Sequence, residues 1–113
     1  MTDATPVVGE PVVPALTAGQ RREGSRRAVA ARARRARVRR DLKAGRVTLA
    51  EVLETAGDDP ALERMRVRDL LLALPRVGPT TANRVLDETG IADSRRLRGL
   101  SERQRGELLA RFG

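Results

Sequence analysis

"LPRVGPTTANRVLDETG", residues 74–90, decides how the chain is organised. It lies at the end of the apolar run "VRDLLLAL", residues 67–74. Proline at 75 stops that run as a helix, because the residue before a proline is pushed out of the α region. Gly78-Pro79 then opens a second helix, with Ala82, Val85 and Leu86 on one face and Gly90 as its stop. The five residues Pro75-Arg76-Val77-Gly78-Pro79 are therefore a tight turn feeding directly into a helix N-terminus. Such a turn presents backbone N–H groups and the positive end of a helix dipole, which together favour an anion. Gly78 leaves room for a phosphate to approach the backbone, and Thr80 and Thr81 add hydroxyl donors. The competing reading is an ordinary helical hairpin in which Pro and Gly only set the bend.

Outward from this turn the pattern is helical throughout. Three capping boxes mark helix starts: Thr17 with Gln20, Thr48 with Glu51, and Ser101 with Gln104. The first opens a long basic helix, "RRAVAARARRARVRRDLKAG", that stops at Gly45. Its arginines point in every direction, without a clean apolar stripe, so it is expected to pack only through Val38 and Leu42 near its end. Val47 and Val52 are spaced as a hydrophobic staple around the second start, and that helix ends near Gly57. Asp59-Pro60 is an N-cap with proline at the first helical position, giving a short helix to about Arg64. No alternating strand pattern occurs. The fold expected is all-α: residues 1–16 a disordered tail with Pro6, Gly9, Pro11 and Pro14, 17–45 a basic helix, and 46–113 a compact helical domain. The expected core is Val47, Val52, Leu53, Leu62, Met65, Leu70, Leu71, Leu74, Val77, Val85, Leu86, Ile91, Leu97, Leu100, Leu108 and Phe112. So small a core is marginal alone, and a bound partner should stabilise it.

Charge points to the partner. The 113 residues carry a formal charge of +8, and it is concentrated. Residues 21–46 hold 12 basic and 2 acidic residues, net +10, whereas residues 47–113 hold 11 of each. A second, compact positive zone lies in residues 91–113, with 6 bases against 3 acids. Such segregation suits a polyanion, nucleic acid first, ahead of anionic membrane or acidic protein. All basic residues but Lys43 are arginine, whose planar fork suits phosphate, although GC-rich codon usage gives the same bias. With no Cys and no His, thiol and imidazole chemistry are excluded, as is nearly every structural zinc site. Phe112 is the only aromatic residue, which disfavours single-strand readers that stack bases on several rings. No apolar run approaches a membrane span, so a cytoplasmic protein is the default and no membrane partner or cofactor is expected.

Within the second positive zone, "DSRRLRGL", residues 93–100, sets Arg95, Arg96 and Arg98 between Gly90 and Gly99, with Leu97 and Leu100 turned inward. Three guanidiniums on one ridge suit successive phosphates. The alternative is a solvated cluster paired with Asp93 and Glu102.

At this point the chain resembles the actinobacterial, mycobacterial-type integration host factors, small nucleoid-associated proteins. The likeness rests on "VRDLLLALPRVGPTTANRVLDETGIADSRRLRGLSERQRGELLARFG", with weaker support from "LTAGQRREGSRRAVAARARRARVRRDLKAGRVTLAEVLETA". Its specific combination is Leu-Pro-x-Val-Gly, Ala82, Gly90-Ile91 and Ser94-Arg95-Arg96-Leu97-Arg98-Gly99-Leu100. The resemblance implies a helix-two-turns-helix fold and binding to double-stranded DNA with little sequence preference. It implies bending or condensation of DNA and help to a phage integrase in site-specific recombination, with a topoisomerase as a further possible partner. A monomer at the nucleoid, with no enzymatic activity, is expected. It assigns Arg95, Arg96 and Arg98 to a DNA-contact segment and Gly78 to a phosphate-binding turn. The basic helix becomes an arm across or along the DNA, with Arg32, Arg35 and Arg39 as candidate contacts.

Two residues depart from the family's turn, which reads Leu-Pro-Gly-Val-Gly-Lys. Arg76 stands at its first glycine and Pro79 at its lysine, so one charge moves from after Gly78 to before it. A backbone needing positive φ at 76 would be strained by a side chain. The proline-rich extension and Arg-dense helix point to a paralogue of the main nucleoid protein. A ribosomal-type, rRNA-binding helix-two-turns-helix protein is the runner-up function. A DNA glycosylase fragment comes third, since those enzymes use the same module but need a catalytic domain. Asp58-Asp59 is better read as helix capping than as acid–base chemistry.

Overall fold

The computed structural model describes residues 17–113; the expected proline-rich tail lies outside them. The described residues form six helices and one 3-10 turn joined by short connections, and no strand occurs among them.

Helix α1 (Ala18–Lys43) starts at the expected capping box, with Thr17 Oγ1 accepting from the Gln20 amide at 3.0 Å and Gln20 Oε1 accepting from the Thr17 amide at 2.9 Å. It ends at Ala44, and Gly45 turns the chain away at φ 75, which glycine adopts without a Cβ clash. Val38 and Leu42 are its only buried side chains, as its missing apolar stripe requires. Residues 17–30 are exposed except for the half-buried Glu23, so the first half of the helix borrows almost nothing from the domain.

Helix α2 (Leu49–Ala56) starts at the Thr48–Glu51 capping box, and both Val47 and Val52 pack against the core. Helix α3 (Pro60–Glu63) is a single turn started by Asp59, whose Oδ1 accepts from the amides of Ala61 at 3.1 Å and Leu62 at 3.4 Å. Helix α4 (Val67–Leu72) buries Val67, Leu70 and Leu71 completely. Helix α5 (Pro79–Thr89) follows the turn, with Gly78 as N-cap and Gly90 closing it at φ 70. After the 3-10 turn Leu97–Gly99, helix α6 (Glu102–Phe112) begins at the Ser101–Gln104 box. Gln104 is itself buried, and its Nε2 donates to the Gly90 carbonyl at 3.2 Å, so one side chain starts α6 and satisfies the end of α5.

The core is one cluster drawn from every helix. Thirteen of the sixteen expected core residues are buried in it, while Val47, Leu100 and Phe112 only pack against its edge. Leu49 and Val67, not expected there, are buried at 1% and 0% exposure. Each is the first residue of its helix, where amphipathic periodicity carries least information.

One long-range seam positions the site. Arg66 and Arg96 form an isolated antiparallel bridge. The Val67 amide donates to the Arg95 carbonyl at 2.9 Å, and the Leu97 amide donates to the Met65 carbonyl at 2.9 Å. Arg96 Nη1 also donates to the Arg64 carbonyl. Segment 64–67 and segment 95–98 are thereby stitched together although about thirty residues separate them. Met65 and Leu97 face the core and the arginines beside them face out.

Candidate nucleic-acid interface

The seam forms one wall of a surface groove of about 600 Å³, and α1 forms the other. The α1 wall carries Arg32, Arg35 and Arg39; the seam wall carries Arg64, Arg66, Arg96 and Arg98. Met65, buried at 2% exposure, also lines the groove. Seven guanidiniums thus face one cleft from two sides, and the only acid lining it is Asp69. Like charges at this density repel, and polyvalent anion relieves that repulsion.

The groove continues along α1. A second hollow is lined by Arg39, Arg40, Lys43 and Asp69, with Leu72 at the end of α4 and Ala73 just past it. At its end Lys43 Nζ reaches the carbonyls of Leu74 at 3.1 Å and Leu72 at 3.4 Å. The sole lysine thereby caps the C-terminus of α4 and anchors the start of the Pro75–Pro79 turn.

The walls are held at a fixed spacing by α3. Arg34 Nε donates to Asp59 Oδ2 at 2.8 Å, and Arg35 Nη1 donates to the Ala61 carbonyl at 3.3 Å. Burial pushes the Asp59 carboxyl up, but the Arg34 hydrogen bond, the Leu62 amide, the charge of Arg34 and the Ala61 amide outweigh it and hold the pKa below its ordinary 3.8. Asp59 therefore stays a carboxylate and clasps α1 onto the helix that leads into Arg64 and Arg66.

The candidate contacts divide into two groups. Arg32, Arg35, Arg39, Arg96 and Arg98 meet in the groove. Arg95 lies around its rim, where it shares a shallow hollow with Ser94, Arg96, Arg98 and Gly99. Its side chain folds back so that Nη1 donates to the Gly99 carbonyl at 2.8 Å, and a Cβ at position 99 would come within 3.1 Å of its Cδ. Gly99 thus makes room for Arg95.

The turn group, Arg76, Gly78, Thr80 and Thr81, does not line the groove. Arg76 has φ 65 and is the one non-glycine residue with positive φ among those described. The strain expected at this position is therefore present, because a side chain occupies left-handed backbone. Gly78 has extended backbone, φ −100 and ψ −176, and a Cβ there would meet nothing within 4 Å. Openness, not conformation, is what its missing side chain supplies. No side chain caps the start of α5, so the Thr80 and Thr81 amides stay open to an anion; Thr80 is exposed and Thr81 half-buried.

Arg64 and Arg66 were not among the sequence candidates. Their signal was the alternation Arg64-Met65-Arg66-Val67, charged–apolar–charged–apolar, in a segment whose net acidity masked them. Among the described residues no cluster of acidic, His or Cys side chains could hold a metal ion, and no helix is long and apolar enough to cross a membrane.

The helical arrangement defines a class. Residues 42–112 match the family model described as S13-like H2TH domain. Among curated proteins, the integration host factor of Mycobacterium tuberculosis is 49% identical over 72 residues, covering 64% of this chain and 69% of the relative. The integration host factor of Streptomyces coelicolor is 38% identical over 101 residues, covering 89% of this chain and 94% of the relative. A solved structure of sIHF bound to an 8-base-pair palindromic DNA superposes with a TM-score of 0.75 at 38% identity, covering 78% of this chain and 99% of that one. The chain belongs to the integration host factor family of mycobacteria and Streptomyces.

Proposed function

We propose that this protein is a nucleoid-associated architectural protein that grips the phosphate backbone of duplex DNA between two walls of arginine. The observation that carries the reading is the groove in which Arg32, Arg35 and Arg39 face Arg64, Arg66, Arg96 and Arg98. Guanidiniums facing each other across a cleft suit a backbone strand lying between them, each offering a fork to phosphate oxygens. Arg95 extends the contact around the rim. Arg76, Gly78, Thr80 and Thr81 supply a separate phosphate seat at the start of α5. The DNA-bound state of the sIHF neighbour supports duplex DNA as the ligand.

Such contacts position the protein without reading sequence, so specificity is weak and comes from DNA shape. Arginine inserted in a narrow minor groove favours A·T tracts. The protein acts without catalysis, as a monomer in the cytoplasm at the nucleoid, bending or condensing DNA. It assists recombination alongside an integrase or a topoisomerase.

The test is a fluorescence-anisotropy titration of two unrelated DNA duplexes and one RNA duplex, each of 30 base pairs, at several salt concentrations. Neutralising about 6 to 8 phosphates gives log K a slope of roughly −5 to −7 against log salt. Equal affinity for the two DNAs, weaker RNA binding and a slope in that range are expected. Tighter RNA binding would sink the reading and favour an rRNA ligand.

A further inference from the structure

The groove contains one side chain of the wrong sign for a phosphate. Asp69 lines both hollows, at the boundary where the arginine cleft meets the Arg40–Lys43 hollow. Arginines surround it, yet none of the ion pairs among the described residues includes it. Its carboxylate accepts no hydrogen bond from any described residue, and the residue is exposed. Position Asp69 in the first turn of α4 complements that helix dipole, but this does not require the carboxylate to stand in the middle of a cationic groove.

We infer that Asp69 is a specificity-determining residue that selects polyanions with spaced charges. It splits the cationic surface into two phosphate seats with a repulsive point between them. A nucleic-acid strand tolerates this, because an uncharged sugar or base edge separates successive phosphates and can lie opposite the carboxylate. A polyanion with no uncharged spacer between successive charges, such as linear inorganic polyphosphate, cannot keep negative charge away from Asp69 while filling both seats. Discrimination thus comes from a built-in repulsion against the wrong ligand, not from an added contact to the right one. The inference rests on the DNA-binding reading of the same groove.

The experiment measures the affinity of the full chain for a labelled 30-base-pair DNA duplex and for long-chain inorganic polyphosphate, the latter by competition. Wild type, Asp69→Asn and Asp69→Glu are compared. A screened charge a few ångströms from a phosphate is worth roughly a factor of five to ten. Asp69→Asn is expected to tighten polyphosphate binding by about fivefold and duplex binding by about twofold or less, while Asp69→Glu keeps the wild-type ratio. A merely structural role in α4 would change thermal stability and leave the ratio alone. An unchanged ratio in Asp69→Asn, or equal gains for both ligands, overturns the inference while leaving the DNA reading intact. Failure of the wild type to bind the duplex overturns the DNA reading, and this inference with it.

Discussion

Arg34 on the long helix and Asp59 at the start of α3 form an ion pair at 2.8 Å, and the same carboxylate caps α3. Both side chains are partly exposed, at 35% and 20%, so the pair itself contributes at most about 1 kcal/mol. Its larger effect is geometric: it ties α1, which carries one wall of the groove, to the helix that leads into the other. Asp59→Ala removes pair and cap together and should cost about 1–2 kcal/mol of stability. The pKa lies below the ordinary 3.8, so this contribution is fully present above that value and is lost as pH falls below it through the folded value. Urea unfolding of wild type and Asp59→Ala at a series of pH values should show the gap between them constant near neutrality and closing only in strong acid.

Arg66 and Arg98 line the groove, and among the described residues their guanidiniums make no hydrogen bond or ion pair within the protein. Replacing both by alanine should therefore leave the unfolding midpoint almost unchanged. Affinity for unrelated DNA duplexes should fall alike, and the salt slope should flatten by about 2. Selective loss on one sequence would mean that these side chains read bases.

Arg76→Gly should stabilise the protein. Left-handed backbone costs a side-chain-bearing residue about 1–2 kcal/mol, and glycine's greater freedom in the unfolded chain returns about 0.5–1 of that. The net gain of roughly 0.5–1 kcal/mol corresponds to a rise of a few degrees in the melting temperature. Arg76→Ala keeps the strain and should show no rise. If Arg76 also serves the phosphate seat, both variants lose affinity equally.

The first half of α1 is solvated all round and crowded with like charge, so it should open easily in the free protein. Hydrogen exchange of the amides of residues 21–30 is expected to be fast in the free protein and slowed markedly by duplex DNA. The amides around Val38 and Leu42, anchored in the core, should be protected in both states. Equal protection of both halves without DNA would contradict this.

What the sequence made legible was local. Each of the three capping boxes lies within four residues, and each is formed. The helix stops at Gly45 and Gly90 required only that a glycine follow a helical segment. The facing of individual arginines was not local. Arg95, Arg96 and Arg98 read as one ridge, yet Arg96 and Arg98 enter the groove while Arg95 folds back onto Gly99. That division depends on the bridge to segment 64–67, which no short-range pattern encodes. The same bridge turned Arg64 and Arg66 into groove residues. The conflict at Arg76 was legible because it needed only the glycine that the resemblance implied there and the sterics of one backbone angle.

The stitched seam also constrains how this protein can change over generations. Along Arg64-Met65-Arg66-Val67 exposed and buried positions strictly alternate, and Leu97 is buried between exposed Arg96 and Arg98. Single exchanges at the outward positions alter the charge of the groove without touching the core. Insertion or loss of one residue in either segment would swap the two faces, sending guanidiniums into the core and Met65 or Leu97 to the surface. The interface should therefore diversify freely by substitution while its length stays frozen.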